Sequence, residues 1–228
     1  MAKGIFVTAT GTDIGKTYIS ALLVKVMRKQ GLNCGYYKAA LSGANNIEES
    51  DAGFVNEFAQ IGQEKETLLS YLFKTPVSPH LASKIESNPI SLKKVQADYE
   101  MVCRHFDYVV TEGSGGIVCP LRWEPEEKVM LEDVIKTLSL SCLVVAGAGL
   151  GTINATVLTT EYLKHRQIRI LGIIMNNYTG SEIELDNIKM IEALTEIPVI
   201  ACVKDGDLNL NIPLDTLETI FDDKGVLE

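Results

Sequence analysis

The sequence lacks several features that would place it in common protein classes. Its 228 residues carry 21 Lys and Arg against 30 Asp and Glu, a formal net charge of −9. A nucleic-acid-binding protein needs a basic surface, so this composition argues against a nucleic-acid partner. No apolar run reaches the roughly 20 residues that cross a bilayer, and the N-terminus has no signal-peptide core. We therefore expect a cytoplasmic protein with no membrane partner.

Cysteine and histidine are also sparse. The 5 cysteines are odd in number, widely spaced and without a CxxC pair, and the 3 histidines show no metal-ligand spacing. This pattern argues against a zinc site or a disulfide framework and favours reduced, buried thiols.

Short apolar runs alternate with segments of helical period. The runs predicted as strands cover residues 5–8, 34–38, 108–111, 142–146, 170–175 and 199–203. Several carry no polar alternation, which is typical of parallel strands covered on both faces. Two apolar stripes, 19–27 and 92–106, and a capping box at Ser181 and Glu184 predict helices between them. We expect one domain over residues 1–228, an α/β fold whose doubly wound, mostly parallel sheet has helices on both faces.

The first predicted strand leads into a glycine-containing loop. Residues 8–17 read TATGTDIGKT and open a helix. A P-loop needs this context, because loop amides and a helix N-terminus bind phosphate. Lys16 is expected to reach the β- and γ-phosphates and Thr17 to ligate magnesium. The first glycine of the usual motif is displaced by one residue, to Gly11, but the Gly-Lys-Thr ending favours phosphate binding over a plain glycine turn.

Six segments resemble, in order and spacing, the motifs of the dethiobiotin synthetase family. They read TDIGKT (12–17), YKAALSG (37–43), SDA (50–52), SPHLA (78–82), EGSGG (112–116) and LGTIN (150–154). Any one is weak, but six in register over residues 5–177 are specific. Two departures stand out: Ala39 replaces the family's proline, and residues 201–204 read ACVK where the family commonly has a GEIP-like segment beside the nucleotide base.

The resemblance implies a P-loop NTPase-like fold and a reaction. With Mg²⁺, ATP, CO₂ and 7,8-diaminopelargonate would give dethiobiotin, ADP and phosphate. One amine captures CO₂ as a carbamate, whose oxygen attacks the γ-phosphorus. The second amine then closes the ring on the carbamic–phosphoric anhydride. The resemblance also implies a homodimer with the active site at the subunit interface.

The same resemblance implies the site residues. Those implied in catalysis are Lys38, Lys16 and Thr12. Those implied in nucleotide binding are Asp13, Ile14, Gly15, Lys16, Thr17, Tyr18, Asp51, Glu112, Gly113, Ser114, Gly115, Asn176 and Asn177. Those implied in substrate binding are Thr12, Ser42, Gly116, Leu150, Gly151 and Asn154. The implied magnesium ligands are Thr17, Asp51 and Glu112.

For four of these residues, the position in the sequence predicts a role independently of the resemblance. Each also has an ordinary alternative. Lys38 just follows the second predicted strand, at the edge where doubly wound sheets bind ligands; the alternative is a surface lysine. Glu112 ends an apolar strand, where P-loop enzymes place an acid near magnesium; the alternative is a capping residue. Asp51 could simply begin an acidic helix. Asn176, expected to contact the base, and Asn177 could instead be an asparagine pair in a turn.

Two other classes share parts of the pattern. An ATP switch of the partitioning type needs a lysine five residues before Lys16, where this chain has Gly11. Such switches often end in a basic amphipathic helix, whereas residues 221–225 read FDDKG. The synthetase half of a glutamine-dependent cobyrinate amidase would need a further glutaminase domain. The glycine-rich stretch 147–151 does not match the dinucleotide pattern GxGxxG.

Overall fold

The computed structural model describes residues 2–222, which form a parallel sheet and a small hairpin. The strands within these residues are β1 (Lys3–Ala9), β2 (Cys34–Ser42), β3 (Leu69–Phe73), β4 (Tyr108–Glu112), β5 (Pro120–Trp123), β6 (Lys128–Met130), β7 (Ser141–Gly147), β8 (Ile170–Asn176) and β9 (Val199–Cys202). The sheet has the order β3-β2-β4-β1-β7-β8-β9, and β5 pairs with β6 in an antiparallel hairpin.

Helices connect the strands. They are α1 (Lys16–Lys29), α2 (Asp51–Phe58), α3 (Pro79–Ile85), α4 (Leu92–His105), α5 (Leu131–Thr137), α6 (Thr152–His165), α7 (Glu182–Thr195) and α8 (Leu214–Asp222). A 3-10 turn spans Lys65–Thr67. None of the helices in residues 2–222 is long and apolar enough to cross a membrane. Of the segment 221–225 that the sequence analysis contrasts with a basic helix, residues 223–225 lie outside the described residues.

The two faces of the sheet carry separate apolar cores. Side chains alternate along each strand, so Ile5 and Val7 of β1 enter one core while Phe6 enters the other. Helices α1, α2 and α8 contribute to the core around Ile5, and α3 to α7 contribute to the core around Phe6. Coverage on both faces confirms the predicted doubly wound parallel sheet.

The order of the strands determines where a ligand can bind. β1 lies at the centre, paired with β4 on one side and β7 on the other. The connection that follows β1 leads to β2 on one side of it, and the connection that follows β4 leads to β7 on the other side. The loops at the carboxyl end of β1 therefore diverge and open a crevice. The predicted phosphate loop, residues 8–17, leaves β1 at this crevice.

The predicted elements agree with the structure except at three places. All six predicted strands and both helical stripes are present, and Ser181 with Glu184 caps α7. However, β2 continues to Ser42, so Lys38 lies inside the strand and not just past it. The edge strand β3 and the hairpin of β5 and β6 were not predicted. They are short, and β3 pairs with one neighbour only. The five cysteines are free thiols; Cys34, Cys119 and Cys142 are buried as predicted, whereas Cys103 and Cys202 are only partly buried.

Candidate active site

A cleft of about 1030 Å³ opens at the carboxyl ends of β1, β2 and β4. One wall is polar and comes from the loop after β1 and the ends of β2 and β4. Another part of the lining, here called the apolar wall, carries apolar side chains, among them Leu41, Pro76, Val77 and Val118. The predicted site residues that line the cleft are Thr12, Asp13, Gly15, Lys16, Thr17, Lys38, Ser42, Asp51, Glu112, Ser114, Gly115 and Gly116.

Gly15 shapes the phosphate loop and admits no side chain. Its φ is +98°, a left-handed conformation that glycine adopts readily. A Cβ at this position would lie 2.1 Å from Asn176 Nδ2. That same nitrogen donates a hydrogen bond to the Ile14 carbonyl at 2.8 Å. Asn176, at the end of β8, therefore stabilises the loop through this hydrogen bond. Its Oδ1 is buried and has no hydrogen-bond partner.

Lys16 begins α1 and points back into its own loop. Its Nζ donates to the Gly11 carbonyl at 3.2 Å, and the residue is 7% exposed. Burial lowers the pKa of the Lys16 ammonium below its ordinary value of 10.5, and the charge of Glu112 opposes this effect in part. A partly desolvated cation at a helix N-terminus is well placed to bind a phosphate oxygen.

The centre of the polar wall is a cluster of four side chains around Glu112. Lys38 Nζ lies 2.7 Å from Glu112 Oε1 and 2.6 Å from Asp51 Oδ2. The Thr17 hydroxyl donates to Glu112 Oε1 at 2.8 Å. The Tyr36 hydroxyl donates to Glu112 Oε2, also at 2.8 Å. The sheet brings these groups together, because Lys38 and Glu112 are register partners on the adjacent strands β2 and β4.

The charges of the cluster stabilise one another. Burial alone would lower the pKa of Lys38, but Glu112 and Asp51 raise it above the ordinary 10.5. Burial likewise favours neutral Asp51, but Lys38 holds the pKa of that carboxyl below 3.8. Burial, and next the charge of Glu112, raise the pKa of Tyr36 well above 10, so its hydroxyl remains a donor. Asp51 is also the first residue of α2, which confirms the alternative that it begins an acidic helix. Its role as a magnesium ligand stays a prediction.

The oxygens of this cluster have the chemistry of a magnesium site. Thr17 Oγ1, Glu112 Oε1 and Asp51 Oδ2 converge on the region around Lys38 Nζ. Mg²⁺ prefers such hard oxygen ligands and commonly takes one or two carboxylates together with substrate phosphates. Among residues 2–222, no three His, Cys, Asp or Glu side chains form a metal site by themselves. The donor set therefore fits a metal held jointly with a nucleotide.

The glycine-rich stretch after β4 differs from its prediction at one residue. The Gly113 N–H donates to the Val7 carbonyl at 2.9 Å, and a Cβ at Gly113 would lie 2.9 Å from the Phe6 ring. Its amide is therefore used inside the fold and cannot approach a phosphate. The Ser114 hydroxyl donates to the Ala40 carbonyl at 2.6 Å. Gly115, with φ +61°, continues along the cleft.

Three further predicted nucleotide-binding residues, Ile14, Tyr18 and Asn177, do not line the cleft. Ile14 accepts the hydrogen bond from Asn176. Tyr18 donates through its hydroxyl to the Asp207 carbonyl at 2.6 Å and so joins α1 to the loop that follows β9. Asn177 is exposed and left-handed, with φ +55°, as the alternative of a turn residue predicts.

Three predicted substrate-binding residues do not line this cleft. Leu150, Gly151 and Asn154 lie at the N-terminus of α6, and Leu150 is 99% exposed. The sequence interpretation missed Tyr36 and the apolar wall. Tyr36 had a detectable signal, because it precedes Lys38 by two positions on a strand and so shares its face.

Comparison with known proteins decides among the candidate classes. A family model described as an AAA domain matches residues 3–208. An ATP-dependent dethiobiotin synthetase BioD of Brachyspira hyodysenteriae is 47% identical over 97% of this chain and 100% of its own length. A protein of the same name from Clostridium botulinum strain Loch Maree is 45% identical over 98% of this chain and 100% of its own length. The chain belongs to the dethiobiotin synthetase family.

Solved structures with a related fold belong to other families. The MinD cell division protein of Aquifex aeolicus aligns over all of both chains with a TM-score of 0.58 at 13% identity. A ParA family ATPase of Chlorobium tepidum covers 90% of this chain and 85% of its own, with a TM-score of 0.55 at 15% identity. Such identities show the fold alone. The dethiobiotin synthetase family thus shares its P-loop architecture with partitioning ATPases, but the sequence similarity does not favour a partitioning switch.

Proposed function

We propose that this protein forms dethiobiotin from 7,8-diaminopelargonate, CO₂ and ATP, as the names of its relatives indicate for those proteins. One observation carries the proposal: the phosphate loop, the buried Lys38 and the apolar wall line the same cleft. A ligase that phosphorylates a carbamate needs a phosphate site, a second cation and a place for an alkyl chain, and the cleft offers all three.

The phosphoryl step relies on positioning and charge. The loop of residues 11–17 binds the triphosphate through backbone amides, and Lys16 neutralises the γ-phosphate. A carbamate oxygen attacks the γ-phosphorus, the bond to ADP breaks, and a carbamic–phosphoric anhydride forms. The second amine then attacks the carbamoyl carbon and expels phosphate, which closes the five-membered urea. No covalent enzyme intermediate is needed.

The substrate lies along the remainder of the cleft. We place the carbamate near Lys38 and Thr12, where a second cation stabilises charge that develops during transfer. The hydroxyl of Ser42, which donates to the Val77 carbonyl at 2.6 Å, lies beside the diamine. The aliphatic chain packs against the apolar wall around Leu41. Ser114, Gly115 and Gly116 bound the site from the side of β4.

Magnesium is part of the proposal. Thr17, Asp51 and Glu112 would hold it together with the nucleotide. When bound, the metal neutralises charge on the β- and γ-phosphates. The bond between Thr17 and Glu112 already brings two of these oxygens to 2.8 Å, which supports this assignment.

A homodimer would explain how the predicted substrate-binding residues that do not line the cleft could still contact the substrate. Leu150, Gly151 and Asn154 are exposed at the N-terminus of α6, where free amides favour a carboxylate. We place the substrate carboxylate of a neighbouring subunit there. Mixing Lys16→Ala with Asn154→Asp protein tests this arrangement, since mixed dimers would contain one intact site. Activity above that of either variant alone supports a shared site, and no gain on mixing contradicts it.

We also assign the protein to the cytoplasm, where ATP and CO₂ are available.

The deciding experiment measures product. Purified protein is mixed with diaminopelargonate, bicarbonate and Mg-ATP, and dethiobiotin is sought by mass spectrometry. ADP release should require both diaminopelargonate and CO₂. ATP hydrolysis at an equal rate without either one would reject the ligase proposal in favour of a switch.

A further inference from the structure

The buried carboxylate of Glu112 divides its two oxygens between different partners. Oε1 accepts hydrogen bonds from Thr17 and Lys38, which both face the cleft. Oε2 accepts from the Tyr36 hydroxyl at 2.8 Å. The Glu112 side chain is 0% exposed, and Tyr36 is also 0% exposed, so water cannot replace this donor.

The consequence concerns the orientation of the carboxylate. A carboxylate can rotate about its last bond and exchange its oxygens unless one of them is held. Tyr36 holds Oε2 on the side of the core and leaves Oε1 facing Thr17. A buried carboxylate oxygen that lost its donor would be left unsatisfied, which favours rotation of the carboxylate toward another donor.

The backbone of Tyr36 is itself held in an unusual way. On the side of β2 that faces β3, pairing begins only at Lys38. At Tyr36 the side-chain amide of Gln63 takes the place of a neighbouring strand: Oε1 accepts from the Tyr36 N–H at 3.0 Å, and Nε2 donates to the Tyr36 carbonyl at 2.9 Å. The backbone of Gln63 is in turn held by the side chain of Asn56: the Gln63 N–H donates to Asn56 Oδ1 at 3.1 Å, and Asn56 Nδ2 donates to the Gln63 carbonyl at 3.0 Å.

We propose that Tyr36 is a positioning residue for magnesium binding: its hydroxyl holds Glu112 so that Oε1 meets the metal beside Thr17. This inference rests on the proposed role of Glu112 as a magnesium ligand. Tyr36 touches neither nucleotide nor diamine in this proposal and acts only through the carboxylate.

The test compares Tyr36→Phe with Tyr37→Phe. Tyr37 is the next residue, is equally buried, and its hydroxyl donates to the Val95 carbonyl at 3.0 Å on the opposite face of β2. Each variant thus loses one buried tyrosine hydroxyl, but only Tyr36→Phe loses a partner of Glu112. Mn²⁺ binding to the ADP complex is measured by electron paramagnetic resonance, together with the Mg²⁺ dependence of turnover.

We expect Tyr36→Phe to weaken Mn²⁺ binding about tenfold, equivalent to about 1.4 kcal/mol, while ADP binding without metal is unchanged. The concentration of Mg²⁺ that gives half-maximal turnover should rise by the same factor. Tyr37→Phe should bind Mn²⁺ like the wild type, whatever its thermal stability. Equal Mn²⁺ affinity in Tyr36→Phe and Tyr37→Phe would overturn the inference.

A second comparison keeps the inference testable if Tyr36→Phe alone does not fold. In a Glu112→Gln background the buried charge is gone, so the added Tyr36→Phe change should no longer alter Mn²⁺ affinity. A further loss of affinity in the double variant would mean that Tyr36 acts by another route. These binding measurements use only ADP and Mn²⁺, so they are independent of whether the wild-type protein makes dethiobiotin.

Discussion

Lys38 Nζ lies 2.7 Å from Glu112 Oε1, and both side chains are almost completely buried. Glu112 thus has a cationic partner before any metal arrives, and its carboxylate oxygen is one that we assign to magnesium. On the proposed magnesium assignment, Lys38 and the metal would compete for the same oxygen, and the Lys38 ammonium would then be available to the carbamate.

Lys38→Met should separate these two roles of the lysine. We expect turnover to fall about 100-fold or more, because one positioned charge is lost from the reacting groups. Binding of Mg-ATP should be retained and the affinity for Mg²⁺ in the complex should increase, since Glu112 and Asp51 lose their competing cation. Without metal the variant should be less stable, because a buried carboxylate is left unpaired.

Steady-state kinetics, calorimetric titration and thermal unfolding measure these effects of Lys38→Met. The matched control is Lys65→Met, which removes an exposed lysine paired with Glu48. Loss of ATP binding with normal turnover of bound substrate would contradict the role assigned to Lys38.

Lys16→Ala should remove most activity through the γ-phosphate. We expect kcat/KM for ATP to fall about 100- to 1000-fold, the usual effect of deleting one transition-state contact. Lys29→Ala, at the exposed far end of α1, is the control and should keep wild-type kinetics. A coupled ADP-release assay with saturating diaminopelargonate measures both, and a Lys16→Ala loss below about tenfold would argue against this assignment.

Asn176→Ala should weaken the binding of all nucleotides equally. Its amide nitrogen donates to Ile14 inside the phosphate loop, so the variant loses support for the loop and not a contact that is specific for adenine. With phosphates supplying most of the affinity, GTP should replace ATP in the wild type at a cost of about tenfold or less, near 1.4 kcal/mol.

Competition binding of ATP and GTP at fixed Mg²⁺ measures this selectivity. Asn187→Ala is the control, since its amide supports the Ala148 carbonyl. If Asn176→Ala weakened the binding of ATP but not of GTP, Asn176 would instead contact the adenine base, as the family resemblance implies.

Glu184 should make stability depend on pH in the acidic range. Its carboxylate accepts from the Thr179 hydroxyl and from the N–H groups of Thr179, Gly180 and Ser181, and these bonds lower its pKa from 4.5 to about 2. The depressed pKa stabilises the fold fully above the ordinary value. This contribution is lost as pH falls from about 4.5 toward 2.

Glu184→Gln should therefore lower the free energy of unfolding at pH 7, and the difference from wild type should shrink at pH 3. Urea unfolding at both values measures it. Glu182→Gln, an exposed residue of the same helical turn, is the control. A difference between Glu184→Gln and wild type that does not change with pH would show that the carboxylate bonds do not set the pKa.

The strands and helices could be predicted from the sequence wherever the local pattern of apolar residues determines them. Buried parallel strands need continuous apolar runs and helices need a 3.6-residue stripe, so six strands and the main helices were visible in the residues themselves. The edge strand β3 escaped because it is short and pairs on one side. The phosphate loop was predictable for a different reason, the residue pattern that ends in Gly-Lys-Thr. The positive φ of Gly15 agrees with it, because few residues other than glycine adopt that conformation.

The sequence by itself determined the class of this protein and the phosphate loop, because both depend on residues that are neighbours along the chain. Only the tertiary structure decided the cluster in which Tyr36, Lys38 and Glu112 meet. Glu112 is separated from Lys38 by 74 positions and from Tyr36 by 76. The pairing of β2 with β4 is a long-range contact of the folded sheet, and no local pattern encodes which strands will lie side by side. For this reason the sequence could identify Glu112 as an acid at a strand end but could not show which hydroxyl orients it.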